Sequence, residues 1–532
     1  MIAVRAEGLQ ATADNQQPFT HRQILIIFSG LMTGLFLAAL DQTILATALP
    51  RIVGELGGLD YYSWVVTAYL LSSTVSTPLY GRISDLYGRR IMVQVAILIF
   101  LVGSFLAGIA QGMIPLIFFR AIQGVGAGGL MAMTFAVVGD IVAPRQRGRY
   151  IGLLAGTWAF ASVIGPLIGG FIVDNMSWRW VFLINLPIGV IAFVVTSSVL
   201  HLPHVRRSHR IDVEGAMLLV ASMSCLLLSL VWGGTEYPWS SFVISGLALS
   251  GTLLLIVFLL WESRVAEPIL PLRLFRDQIF SVSSALGFLT GCALFGSVIF
   301  LPLFLQVVIG VSATSSGLLL LPLTAGVVVG SIGSGRIISR TGRYRMWPIG
   351  GLAFASVGAF LLTLMQAETP LLYISLYMII LGLGVGATMQ VTVLVAQNTV
   401  EHRDLGIATS VIQFFRQMGG AFGTAAFGAI MNYRLITELP NQVPAGVLLG
   451  VGGEIGELLS SPAAIRALPP DVALGVTTSV EMAVHEVFVW CVPPMVLGFA
   501  LSWFLREIPL RETIGAASLV EGTGEVVEAR AD

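Results

Sequence analysis

The chain contains no lysine; all 28 of its basic residues are arginine. A phosphate-cradling loop of the Walker type needs a lysine, so an ATP-driven pump within this chain is excluded. Cysteine is almost as scarce. Cys225, Cys292 and Cys491 are an odd set without paired spacing, all in apolar stretches, and read as small core residues rather than disulfides or metal ligands. Of six histidines, His201, His204 and His209 stand together, but among arginines that disfavour a metal. Charged residues make up only 11% of the chain and leave a net charge of −1. Nothing resembles a catalytic constellation. An enzyme, a metal centre, a bound cofactor and a nucleic-acid partner are therefore not expected.

Apolar length is what the chain has in abundance. It is 56% hydrophobic with a mean hydropathy of +0.89, which no soluble domain of this size tolerates. A bilayer core asks for about 20 apolar residues per helix. About fourteen such runs can be placed, near 24–48, 62–80, 91–110, 113–138, 150–173, 179–200, 213–232, 242–261, 279–308, 314–335, 347–366, 371–395, 407–431 and 486–505. The first continues through Asp41 without a clean cleavage site and reads as an uncleaved helix. Arginine sets the orientation by the positive-inside rule. Alternate loops hold Arg82, Arg89 and Arg90, then Arg145, Arg147 and Arg149, then Arg206, Arg207 and Arg210, while the opposite side holds only Arg51, Arg179, Arg434 and Arg466. A multi-pass protein of the cell membrane with both termini in the cytoplasm is expected.

One decapeptide interrupts the apolar pattern: Gly81-Arg82-Ile83-Ser84-Asp85-Leu86-Tyr87-Gly88-Arg89-Arg90, between spans 2 and 3. Reduced to Gly-Arg-Ile and Gly-Arg, it returns as Gly335-Arg336-Ile337 and Gly342-Arg343. A second echo, Gly124-Val125-Gly126-Ala127, returns as Gly384-Val385-Gly386-Ala387 at nearly the same displacement. The chain thus reads as a duplicated, all-α integral membrane bundle, an architecture common among transporters. The offset from span 2 to span 10 makes it two six-helix repeats with two inserted helices between them. The expected organisation is a tail over 1–23, a first half over 24–200, inserted spans 7 and 8 within 201–278, a second half over 279–510 with a long outer loop at 433–485, and a tail over 511–532. In the outer loop, Leu448, Ile455, Leu458 and Leu459 form a partly amphipathic stretch that either rests on the membrane face or belongs to a flexible loop.

Charges inside the spans are few. Asp41 lies in span 1, Arg120 in span 4 and Arg416 in span 13. Each costs about 2.5–3.5 kcal/mol at a helix centre on insertion scales, so each should face a cavity or a partner. A carboxyl at Asp41 can exchange protons between two aqueous compartments and attract a lipophilic cation; tethering a neighbouring helix is the alternative. Arg120, Gln123 and Gly124 share a helix face, and a cation there either couples to Asp41 or forms a structural salt bridge with it. Gln413, Arg416, Gln417 and Gly420 follow helical spacing and turn a polar stripe inward. With Gln42, Gln123, Gln306, Gln390, Gln397 and the aromatics Trp64, Tyr69, Trp158 and Phe414 they would suit a permissive apolar cavity for a small molecule. Each amide taken singly is equally explained by an interhelical bond worth about 1 kcal/mol. Gly81 and Gly88 permit a tight turn, and Asp85 with its arginines can lock helix ends.

These features resemble the major facilitator superfamily, specifically its fourteen-span drug:proton antiporter branch of multidrug exporters, over roughly residues 24 to 510. The decapeptide is similar to that family's inner-gate motif: Gly81, Asp85, Gly88, Arg89 and Arg90 match, Ile83 and Leu86 depart, and Asp140 stands where the family keeps a partner for this loop. In the second copy Ser339 replaces the aspartate. Leu40-Asp41-Gln42-Thr43-Ile44 resembles the first-helix motif of the fourteen-span exporters, and Arg120-Ala121-Ile122-Gln123-Gly124 the fourth-helix motif whose arginine is assigned to proton transfer. In span 5, Gly165, Pro166, Gly169 and Gly170 look like the antiporter motif, with Ala161 at its first glycine. The resemblance implies proton-coupled export of lipophilic or cationic small molecules by alternating access, driven by a proton gradient. A facilitator or symporter of the same fold for another solute or lipid, and a non-transporting membrane sensor, are the competing readings.

Overall fold

The computed structural model of the chain describes residues 21–56, 62–142, 144–200, 212–234, 236–266, 268–311, 313–401, 404–443 and 468–510. Without water to bond, an apolar segment satisfies its backbone only within a helix or a closed barrel. Here it does so by helix; an isolated bridge between Gly233 and Tyr237 is the one strand-like contact among the described residues. The first six spans are α1 (His21–Leu56), α2 (Tyr62–Tyr87), α3 (Arg89–Gly108), α4 (Met113–Ile141), α5 (Pro144–Asn175) and a broken sixth, α6 (Trp180–Leu183) with α7 (Asn185–Val199). The inserted pair is α8 (Val213–Trp232) and α9 (Phe242–Glu262). The second half has α10 (Gln278–Leu303), α11 (Ala313–Leu319) with α12 (Leu321–Thr341), α13 (Met346–Leu362), α14 (Leu371–Thr399), α15 (Leu405–Gln442) and α16 (Pro470–Ser502). Eleven of the described helical segments are long and apolar enough to cross a bilayer by themselves.

Three expected boundaries change. The charged decapeptide is not a loop: α2 runs through Tyr87, Gly88 alone breaks the chain at φ 92°, and α3 starts at Arg89. Gly342, its counterpart in the second copy, also has a positive φ of 71°. The outer loop at 433–485 is shorter than expected, because α15 continues to Gln442 and α16 already begins at Pro470. Charged and amide residues there lower the hydropathy without ending the helices. Leu448, Ile455, Leu458 and Leu459 lie outside the described residues. Span 9 ends in a π-helical turn, Phe304–Val308, just after Pro302, whose missing N–H disturbs the helical ladder.

The two halves repeat one packing scheme. In the first, α1 packs on α5 and α7, while α4 lies against α2 and α3; in the second, α10 packs on α15 and α16, while α14 lies against α12 and α13. Glycine makes the tightest of these approaches possible. A Cβ at Gly124 would collide with the Tyr69 carbonyl of α2, and one at Gly126 with the backbone of Phe100 in α3. The repeated tetrapeptide does not keep these faces. Gly384 is pressed on α13, the counterpart of α3, and Gly386 on α12, the counterpart of α2. The structural match is therefore Gly126 with Gly384, two residues out of step with the sequence echo. In that register Arg120 and Gln123 correspond to Met378 and Leu381, both buried.

The halves meet where α2 lies on α15 and α5 on α12. Contacts between them are closest toward the end that carries Gly88. A Cβ at Gly81 would strike the Ser410 side chain, one at Gly152 would come within 3.0 Å of Ile332, and one at Gly139 within 2.9 Å of Gln397 Nε2. The inserted helices α8 and α9 pack on each other, and α8 reaches α2 and α15. Trp64 meets Trp232 edge-on at 5.1 Å, and Asn432 Nδ2 donates to Gly234 O at 2.5 Å. Phe242, Leu249, Leu253 and Leu260 of α9 are exposed, as a lipid-facing helix requires. Tyr344, in the turn before α13, donates to Arg506 O at 2.7 Å and accepts from Ile508 N at 2.9 Å. Burial raises its pKa above the ordinary phenol value, so it stays a donor that ties down the chain after α16.

Candidate functional site: a sealed ion pair beside a central cavity

Three consecutive residues of α1 point to three different neighbours, as the 100° helical step requires. Asp41 turns into the first half, Gln42 lines the space between the halves, and Thr43 donates to Ala161 O of α5 at 3.1 Å. Asp41 is 0% exposed and Arg120 1%. Arg120 Nη1 donates to Asp41 Oδ2 at 2.6 Å and to Gln123 Oε1 at 2.5 Å. Gln123 Nε2 and Asn185 Nδ2 each donate to Asp41 Oδ1 at 2.8 Å. The same two amides donate to Ser104 Oγ at 2.7 and 2.9 Å. The guanidinium sits 4.2 Å over the Tyr69 ring, and its Nε donates to Val65 O at 3.3 Å. One buried acceptor in the cluster, Asn185 Oδ1, has no hydrogen-bond partner.

Asp41 and Arg120, paired on paper, are thus paired in space. Ser104 has no counterpart among the residues expected from sequence, and Asn185 enters there only as part of the stretch Trp178-Arg179-Trp180-Val181-Phe182-Leu183-Ile184-Asn185-Leu186-Pro187, which resembles the same exporter branch. Asn185 was legible as an amide in an otherwise apolar stretch, Phe182-Leu183-Ile184-Asn185-Leu186, and it starts α7 after the break in span 6. A serine such as Ser104 in a span carries no signal by itself.

Between the halves lies a cavity of about 1190 Å³, counting the part open to solvent. It is lined from α1, α2, α4 and α5 on one side and from α10, α12, α14 and α15 on the other. Gln42, Trp158, Gln390 and Arg416 line it as expected, and so do Ser73, Thr74, Phe135, Thr324, Met389 and Gln417. Seven expected lining residues lie elsewhere. Trp64 meets Trp232 edge-on, Tyr69 lies under Arg120, and Gln123 bonds Asp41. Gln306 donates to Ser316 Oγ at 2.8 Å, and Phe414 packs on Phe415. Gln413 is fully buried with neither amide atom bonded. Gln397 also stands outside the lining, donating to Phe135 O at 3.3 Å and to Thr409 Oγ1 at 2.9 Å across the half–half contact. Arg416 holds its guanidinium 5.5 Å from the Phe135 ring.

At the closed end, Arg89 Nε donates to Asp140 Oδ2 at 2.8 Å, and Arg89 Nη1 also bonds Ser84 Oγ. Arg90 Nη2 donates to Ser197 O at 2.6 Å, tying α3 to α7. Gly81, Gly88, Arg89, Arg90 and Asp140 are therefore gathered at one end; the side chain of Asp85 lies outside the described residues. Arg147, read only as a topology signal, is buried and donates to Gly139 O and Val142 O at 2.5 and 2.8 Å, capping α4. Arg273 Nη2 reaches both carboxylate oxygens of Asp404, at 2.8 and 2.9 Å, beyond what sequence suggested. In α5, Gly165 is pressed against Thr43 of α1, Gly169 is buried, and a Cβ at Gly170 would meet nothing within 4 Å. The side chain of Pro166 lies outside the described residues.

A duplicated helical bundle closed at one end around a central cavity is the architecture of a membrane solute transporter. Residues 31–424 match the Major Facilitator Superfamily, and the chain belongs to it. Over 92% of its length it is 40% identical to an uncharacterized MFS-type transporter of Mycobacterium tuberculosis, covering 70% of that protein. It is 36% identical to the multidrug transporter protein MdtP of Bacillus subtilis, covering 91% of this chain and 93% of that one. Among solved structures, the human organic anion transporter MFSD10 matches with a TM-score of 0.59 at 14% identity, over 90% of this chain and 99% of that one, a likeness of fold alone.

Proposed function

We propose that the protein is a proton-coupled exporter of lipophilic small molecules across the cell membrane, working by alternating access. The Arg89–Asp140 end and both termini face the cytoplasm on this reading. Relatives named as multidrug transporters and efflux pumps support export as the direction. Protons and the small-molecule cargo are the partners, the bilayer is the medium, and the proton gradient takes the place of a cofactor.

The observation that carries the coupling is Asp41, sealed against Arg120 while its chain neighbour Gln42 lines the cavity. As a carboxylate, Asp41 accepts from Arg120, Gln123 and Asn185 at once. Protonation removes the charge that holds Arg120 and adds an O–H that needs an acceptor. Asn185 Oδ1, an acceptor to which no group donates, can take it after its amide turns. Protonation thus swaps one bonding pattern for another between α1, α4 and α7. A proton that favours one arrangement of the bundle and a cargo that favours the other meet the requirement for coupling. The test is substrate-evoked proton movement in reconstituted vesicles bearing a pH gradient. Wild type should release protons with substrate, and Asp41→Asn should not; normal uphill transport with proton flux in the mutant overturns the scheme.

A further inference from the structure

We infer that the cargo is an organic anion: one acidic headgroup on an apolar body, the headgroup held by Arg416. This rests on the exporter reading and names the substrate class of its cavity. Three observations converge. Arg416 is the sole ionisable residue among those lining the cavity. No carboxylate among the described residues ion-pairs with it, and the Phe135 ring lies 5.5 Å from its guanidinium. Asp41, the acid expected to draw a cation, is already saturated by Arg120, Gln123 and Asn185 and does not reach the cavity.

The charge balance of the cavity is therefore positive, the reverse of the expectation from sequence that Asp41 would attract a lipophilic cation. A guanidinium in a poorly hydrated space offers a planar fork of donors suited to a carboxylate, sulfonate or phosphate ester. A cationic cargo would meet a like charge with no compensating acid, and such repulsion is a strong discriminator where water is scarce. Gln42 and Gln417 line the same cavity, and Met131, Phe135, Trp158 and Phe295 supply an apolar wall for the body.

The test uses purified full-length protein and three probes that share one body: naphthalenesulfonate, naphthalenesulfonamide and trimethyl(naphthyl)ammonium. Both charged probes keep their charge at all working pH values. Binding is read by calorimetry, and transport by uptake and proton movement in inside-out vesicles. The sulfonate is expected to bind about ten- to a hundredfold tighter than the sulfonamide, with the ammonium weakest. Arg416→Gln should erase the preference for sulfonate, and Arg416→Lys should keep part of it. Should Arg416→Gln fail to fold, the ranking in the wild-type protein still decides. Equal or tighter binding of the ammonium probe overturns the inference, and so does an unchanged ranking in folded Arg416→Gln. The exporter reading is judged separately. Ammonium-evoked proton flux would sink the anion while sparing antiport; sulfonate bound and moved without protons would do the opposite.

Discussion

Arg120 on α4 and Asp41 on α1 face each other at 2.6 Å, Nη1 to Oδ2, and neither side chain is more than 1% exposed. Removing one member of such a pair strands the other charge, at a cost of about 3–5 kcal/mol. Arg120→Ala is therefore expected to melt well below wild type, and Arg120→Ala with Asp41→Asn to recover part of the loss although it lacks more groups. Thermal unfolding of the three proteins in one detergent checks this. A double variant no more stable than Arg120→Ala would mean that the pair is not the stabilising unit.

Asn185 offers a second handle on the same cluster. Its Oδ1 is the open acceptor and its Nδ2 one of the donors to Asp41. Asn185→Val is expected to slow substrate-evoked proton flux by about 10²–10⁴-fold, as for loss of a positioned proton-transfer group. Cargo affinity should stay near wild type, since Asn185 does not line the cavity. Unimpaired proton flux would remove it from the proton path.

Gln413 presents the opposite case, a buried amide that bonds nothing in this state. An unsatisfied buried polar group costs about 1–3 kcal/mol, so Gln413→Leu should raise the melting temperature of the protein. A lower melting temperature would place a bonding partner on Gln413.

Gly81 lets α2 close on Ser410 and Gly406 of α15. Gly81→Val should hold that end apart, lengthening the distance between spin labels at the exposed Tyr87 of α2 and Ile337 of α12. Arg89→Ala, which breaks the pair with Asp140 inside the first half, should change the distance less. Equal shifts in the two variants would remove the special place of the α2–α15 contact.

The duplicated bundle was legible because spans announce themselves by length and hydropathy, and because glycine and arginine recur where chains turn sharply. Gly88 and Gly342 share a positive φ, so their match in sequence reflects a match in backbone. The tetrapeptide echo misled by two residues, since glycines on successive faces of α4 and α14 look alike in a string. The Asp41–Arg120 pair could be anticipated from the insertion cost of lone charges. Which amides line the cavity could not, because that depends on helix rotation. Gln413 and Arg416 are three residues apart, yet one is sealed and the other faces the cavity. Helix ends past the apolar core, such as Gln442 and Pro470, were also invisible to hydropathy.

The uncompensated Arg416 has an electrical consequence. On the proposed exchange, one proton entering against one anion leaving carries two elementary charges in the same direction. At about 2.3 kcal/mol per charge for each 100 mV, membrane voltage would drive such a cycle even with no pH difference. A monovalent cation exchanged one for one would move no net charge. The single guanidinium in the cavity therefore selects which component of the proton-motive force does the work, as well as what is carried.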